Sequence, residues 1–281
     1  MAQSLAFLSI EIEQALVARN LRGMAGIRDI LAPGYCLRAA QTLLGAKGVV
    51  LIGTGFPVNS TFETDGPIGA IALYQTLETL GLTPYIVCGK PLSTALSLHY
   101  RVVSLLVGSG HNHEDEAQRI LAHLKPNVVV SIERPGKTSD GRYYNMRGED
   151  ISARTACFDT FLDLANCPTI AIGDGGNEIG MGNVRQVLQH WDIEAAVTEC
   201  DELIVADVSN WGSYGLIALM SRIEGKDFLQ AFDPVSTLGY LSTLGSVDGV
   251  TRLNALTEDG LSSSVGAEVI LELRRLAGFL G

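Results

Sequence analysis

Long apolar runs, clusters of basic residues and paired cysteines are all missing from this chain. No stretch approaches the ~20 consecutive apolar residues that a membrane-spanning helix needs, so no membrane association is expected. Lys and Arg number 20 against 31 Asp and Glu, a net charge of -11. Nucleic-acid affinity draws on clustered cations that neutralise phosphates, and this balance argues against such a partner. The five cysteines, Cys36, Cys88, Cys157, Cys167 and Cys200, are scattered, odd in number and never in a Cys-x-x-Cys pair. That excludes a disulfide framework and reads as reduced, buried thiols in a cytoplasmic protein. The N-terminal stretch has no basic leader, and Glu11 and Glu13 interrupt its apolar residues. It reads as an amphipathic helix, not an export signal.

Two nucleotide-binding patterns are also incomplete. Gly136-Lys137-Thr138 ends like a phosphate-binding loop, but Ser131 stands where the first glycine belongs, and Ser139-Asp140-Gly141 follows where a helix should begin. Gly53-x-Gly55 lacks the third glycine of the dinucleotide fingerprint, because Val58 occupies that position. Neither ATP nor NAD is expected.

What the chain does have is apolar content, 47%, and a mean hydropathy of +0.23. These describe a globular protein with buried strands and helices. Its 281 residues suffice for one large core. Six β-branched runs, Gly48 to Ile52, Thr83 to Cys88, Arg101 to Leu106, Asn127 to Ile132, Thr169 to Ile172 and Glu202 to Ala206, read as strands, with room for a short seventh. Helical patterns lie between them, clearest at Pro67 to Leu80 and at Glu114 to Leu124, where acids fill the first turn. The fold class expected is α/β: a predominantly parallel central sheet with helices on both faces and a ligand site at the C-terminal strand edge. One domain spans residues 1–281, with N-terminal helices over 1–45, the α/β core over 46–220 and a C-terminal segment over 221–281. Within that segment, the Gly-, Ser- and Thr-rich stretch Asp233 to Ser264 reads as a flexible cover.

Four post-strand segments could carry chemistry. After the first strand, Gly53, Thr54 and Gly55 can bring backbone N–H groups to a small anion, and Glu63, Thr64 and Asp65 lead into a helix that Thr64 or Asp65 could cap. After the fourth strand, Glu133, Arg134, Lys137 and Arg147 could neutralise carboxylates or form exposed ion pairs. After the fifth comes Gly173-Asp174-Gly175-Gly176-Asn177-Glu178-Ile179-Gly180-Met181-Gly182-Asn183, where five glycines surround polar side chains. Such a loop gives up backbone entropy, which makes sense where the chain wraps closely around something. After the sixth, Ser209 and Asn210 could orient a ligand, and Trp211 could wall it or simply pack. His111 and His113 invite a metal reading, but a polar loop capping the next helix accounts for them. The acids Glu63, Asp65, Asp174 and Glu178 could hold Mg²⁺ or Ca²⁺ through oxygen; otherwise no cofactor is expected.

The segments GTGFP…ETDGPIGA, IERPGKTSDGRYYNMRGEDI, IGDGGNEIGMGN and VSNWGSYGL, in this order, resemble the D-glutamate cyclase family. The resemblance covers roughly residues 50 to 220 and implies conversion of D-glutamate to 5-oxo-D-proline with loss of water, without ATP or a nicotinamide. Applied to that chemistry, the loops offer Asp174 or Glu178 as base and Glu63 or Asp65 as acid. The N–H groups of Gly175 and Gly176 would face the oxyanion. Arg147 and Lys137 would hold carboxylates, with Asn177, Ser209 and Asn210 orienting the amine. A mitochondrial location known for some relatives is not carried over. Two other readings stay open: a metal-dependent hydrolase of a small acidic amide or phosphate ester, and a non-catalytic binder of acidic metabolites. The expected partner is a small dicarboxylate amino acid, and a homo-oligomer is left open.

Overall fold

The computed structural model describes residues 4–280. Its central sheet has six strands: β1 (Val49–Thr54), β2 (Thr83–Gly89), β3 (Val102–Leu105), β4 (Val128–Ile132), β5 (Thr169–Gly173) and β6 (Glu202–Val205). They lie in the order β3-β2-β1-β4-β5-β6, and every pairing is parallel. All six expected strands are present, within two residues of the expected ends. Among the described residues no seventh joins them, since the remaining strands form short hairpins of two-residue strands at Pro57–Val58 with Thr61–Phe62 and at Thr257–Glu258 with Leu261–Ser262.

Alternation of side chains across the pleat explains why these strands read as continuous apolar runs. In β1, Val50 and Ile52 enter the larger core on one face, and Leu51 enters a second core on the other. The larger core takes in the helices Leu5–Leu16, Tyr35–Gly45, Pro67–Thr79 and Ser209–Glu224; the second is closed by His113–Leu124 and Asp159–Asp163. The helix Ser209–Glu224 runs across residue 220, so the expected boundary there falls inside an element. The segment expected as a cover contains the helix Pro234–Thr243, whose N-cap Asp233 accepts the Val235 and Ser236 N–H groups, followed by the Thr257–Ser262 hairpin.

Strand order reverses direction between β1 and β4, so the loops leaving their C-terminal ends diverge and open a crevice there. Capping at this crevice differs from the sequence expectation. Asp65 does not cap the helix Pro67–Thr79 with its own side chain; its carboxylate instead accepts the Ser209 N–H at 2.9 Å and the Asn210 N–H at 2.8 Å, at the start of the helix Ser209–Glu224. Asn210 Oδ1 returns the favour, accepting the Gly66 and Gly69 N–H groups at 2.9 and 2.7 Å. Thr64 bonds the Thr257 carbonyl. The two helix starts thus satisfy each other's orphan donors, and the close approach is tight enough that a Cβ on Gly69 would sit 2.6 Å from Ser213 Oγ.

Candidate functional site

The crevice collects carboxylates from four segments of the chain. Glu63 comes from the loop after β1 and Glu133 from the first position after β4. Asp174 and Glu178 come from the glycine-rich loop after β5, and Asp259 from the tip of the C-terminal hairpin. All five line one cavity of about 140 Å³, a size class that takes a benzene-sized molecule. Glu133 holds a left-handed backbone, φ +46°, which costs a non-glycine residue about 1–3 kcal/mol and clusters at functional sites. Its carboxylate is fixed by the Ser209 hydroxyl, which donates to Oε2 at 2.6 Å.

One half-buried guanidinium pairs with two acids of this floor. Arg22, on the turn after the first helix, reaches Asp174 Oδ2 at 2.5 Å and Asp259 Oδ2 at 2.7 Å. The turn itself is pinned by Asp207, whose carboxylate accepts the Arg19 and Leu21 N–H groups. Burial acts to lower the Arg22 pKa, but Asp174 and Asp259 outweigh it, so the group stays charged.

Desolvation dominates the acids. Burial, and then the charge of Asp174, hold Asp259 at about 8. Burial, then Asp259 and Asp65, push Glu63 well above the carboxylate range, and burial with Asp174 and Glu178 does the same to Glu133. Asp174 is raised by burial against the pull of Arg22, and Glu178 by burial against the Gly176 N–H that donates to it at 2.7 Å. Behind the floor, Glu258 rests near 7 through burial, bonded by Asn210 Nδ2 at 2.8 Å.

Above the acidic floor stands a basic rim of Arg147, Arg154 and Arg252. Each is tied down at the surface. Arg252 Nη2 contacts both Glu149 carboxylate oxygens at 2.9 Å, Arg147 Nη2 donates to the Val250 carbonyl at 2.7 Å, and Arg154 donates to Asn59 O at 3.3 Å.

The residues expected from sequence therefore divide. Glu63, Glu133, Arg147, Asp174, Asn177 and Glu178 line the cavity. Asp65, Ser209 and Asn210 sit behind it, their polar atoms spent on the reciprocal caps and on Glu133. Gly176 spends its N–H on Glu178, and Gly175 flanks the same side chain. Thr54 and Gly55 face a separate small crevice with Leu92 and Arg134, and Gly53 is packed under the Phe158 ring. Lys137 faces another depression with His113 and Tyr143, while its backbone N–H donates to Asp159. Arg134 is buried, its guanidinium donating to the carbonyls of Thr54, Gly55 and Ala156. The object that the glycine-rich loop approaches so closely is the chain itself. Gly180, at φ +95°, and Gly182 both donate to the Thr198 carbonyl, and a Cβ on Gly182 would lie 2.7 Å from that oxygen.

Sequence reasoning missed Arg22, Arg154, Arg252, Glu258 and Asp259. Glu258-Asp259-Gly260 is a turn signal, but nothing local says that the turn folds back onto the sheet edge. Two groups of carboxylates lie close enough to share a metal ion, Asp65 with Asp174 and Asp259, and Glu133 with Asp174 and Glu178. His113 bonds the Gly108 carbonyl at 2.9 Å and opens a helix that Asn112 caps, in keeping with its reading as part of a capping loop. No helix among the described residues is long and apolar enough to cross a membrane, and all five cysteines are free.

The mitochondrial D-glutamate cyclase of Homo sapiens is 34% identical over 224 residues, covering 69% of this chain and 36% of its own length; the chain spans about a third of that relative. Among solved structures, an exopolyphosphatase-related protein of Bacteroides fragilis superposes at a TM-score of 0.45 with 11% identity, over 89% of this chain and 61% of its own. A Pseudomonas aeruginosa RhlG–NADP complex reaches only 0.30 with 12% identity, over 84% and 91%. Neither likeness bears on function. A model of the family described as D-glutamate cyclase-like, C-terminal, matches residues 12–274, nearly the whole fold including Arg22 and Asp259, and the chain belongs to that family.

Proposed function

We propose that the chain is an ATP-independent cyclase that converts D-glutamate to 5-oxo-D-proline and water. The observation that carries this reading is the lining of one small cavity, where five buried carboxyl groups, two of them paired with Arg22, meet the more exposed Arg147, Arg154 and Arg252, the last paired with Glu149. Such a cavity suits a molecule with an ammonium group and two carboxylates. The ammonium would lie against the floor, and the α-carboxylate would meet the rim arginines.

The reaction joins the amine nitrogen to the γ-carboxyl carbon. Two of the three ammonium protons leave with one γ-oxygen as water, and the third stays on the lactam nitrogen. A base must take a proton from the ammonium, and an acid must protonate a carboxylate that is otherwise a poor electrophile. Asp259, held at about 8 by burial, is poised near neutrality and is the base in this reading. Glu63 is the acid in this reading, because burial, then the charges of Asp259 and Asp65, raise its pKa in the direction that favours the protonated form, and its buried Oε1 has no hydrogen-bond partner. Holding both ends of glutamate in a ring-forming conformer lowers the barrier further, since well-oriented intramolecular reactants gain roughly 7–11 kcal/mol. The unpaired cysteines fit a reducing compartment, and the cytoplasm is the proposed location.

Incubation with D-glutamate followed by proton NMR tests the reading. Appearance of 5-oxoproline is expected, slower with L-glutamate, and Glu63→Gln and Asp259→Asn should each lower turnover by about 10²–10⁴-fold. No 5-oxoproline from the wild type would overturn the reaction. Full activity in both variants would remove these two residues from it.

A further inference from the structure

We propose that Glu133, Asp174 and Glu178, joined by the side-chain carbonyl of Asn177, form a binding site for one hard divalent cation of the Mg²⁺, Mn²⁺ or Ca²⁺ class. One oxygen from each of the three carboxylates lies within 4.8 Å of the other two, a spread that a cation with oxygen ligands at about 2.1–2.5 Å closes with little movement. All three side chains are buried and line the cavity described above.

Asn177 supplies the independent observation. It is only 2% exposed and lines the same cavity. Its orientation is fixed, because Nδ2 donates to the Tyr144 carbonyl at 2.9 Å. That leaves Oδ1 buried with no donor, an arrangement that ordinarily costs about 1–3 kcal/mol. The atom is aimed at the cluster: a Cβ placed on Gly175 would be 3.1 Å from Asn177 Oδ1 and 2.8 Å from Glu178 Oε1, so the two oxygens flank one point. A buried amide oxygen that faces carboxylates finds no donor among them once they are ionised, and a cation satisfies all four at once. Every donor in the set is oxygen, which selects the hard divalent ions over zinc or copper.

Arg22 sets which carboxylates take part. Its guanidinium already lies on Asp174 Oδ2 and Asp259 Oδ2, so the group Asp65, Asp174 and Asp259 has its cation, and Asp65 spends its oxygens on backbone N–H groups. Among the described residues no arginine forms an ion pair with Glu133 or Glu178, whereas Arg22 pairs with Asp174 and Asp259. The set differs from the sequence expectation, retaining Asp174 and Glu178 and replacing Glu63 and Asp65 with Glu133 and Asn177.

Binding is measured without substrate, so the result is independent of the cyclase reading. After chelator treatment and exchange, the full chain is titrated with Mn²⁺ and the free ion followed by electron paramagnetic resonance, with Mg²⁺ and Ca²⁺ as competitors. One saturable site is expected, with the thermal midpoint rising as it fills. Glu178→Gln and Asn177→Ala should each weaken it at least about tenfold, with near-ultraviolet circular dichroism confirming the fold. Glu149→Gln, on the exposed rim, should leave it intact. Failure of the wild type to bind millimolar Mn²⁺ would overturn the proposal. So would loss of binding in Glu149→Gln with retention in Glu178→Gln, which would put the ion on the rim.

Discussion

Asp65 and Asn210 show how a residue can be indispensable beside a cavity without touching it. Each caps the helix that the other introduces, and both are almost fully buried. Removing Asp65 leaves the Ser209 and Asn210 N–H groups without acceptors, and removing Asn210 strands the Gly69 N–H while Gly66 keeps Asp65 Oδ1, so Asp65→Ala and Asn210→Ala should each lower unfolding free energy by about 1–3 kcal/mol. Urea unfolding with the slope unchanged is the measurement. Because the two side chains serve one joint, the double variant should cost less than the sum of the singles. Strict additivity would mean that the two caps are independent and the joint does not exist.

Between elements, the C-terminal segment closes the cavity. Its backbone pairs with the post-β1 loop, the Thr64 N–H donating to the Val247 carbonyl and the Val247 N–H to the Phe62 carbonyl, and Asp248 gathers the Val250, Thr251 and Gly260 N–H groups. At its tip Arg252 clasps Glu149. An exposed pair of this kind contributes about 0–1 kcal/mol to stability, so Arg252→Ala should barely move the unfolding midpoint. On the proposed function it should raise KM for D-glutamate with kcat nearly unchanged, the signature of lost uniform binding; a lowered midpoint with KM intact would make the clasp purely structural. This is also the level at which the sequence stops being readable. The six strands were legible because burial on both faces writes them as continuous apolar runs, and the acids of the glycine-rich loop because their loop follows a strand. Arg22 and Asp259 were not, because their role arises only when the chain's two ends fold over the same sheet edge. Lys137 misled for the converse reason: its loop is at the correct edge, but the side chain leaves in another direction.

At the scale of the whole molecule, so many buried acids make stability depend on pH in an unusual direction. Burial, neighbouring charges and hydrogen bonds together place Asp259 at about 8 and Asp65 and Glu258 at about 7 in the folded chain, against 3.8, 3.8 and 4.5 for the same groups in ordinary exposure. Between those limits the folded state holds more protons than the unfolded state. Stability then falls as pH rises. The contribution is fully present below the unfolded values, is lost as pH climbs through about 7 to 8, and changes no further once both states are ionised. The acids whose pKa is lowered, including Asp140 and Asp233, act below this window and do not offset it. The formal charge of -11 adds self-repulsion that grows in the same direction. In the presence of a chelator, the thermal midpoint should therefore be higher near about pH 5.5 than near about pH 8.5. Asp259→Asn, which removes the ionisation while keeping the shape, should flatten the slope. A midpoint that rises between those two pH values would show that the floor is ionised in the folded protein, with its charges met by something other than protons.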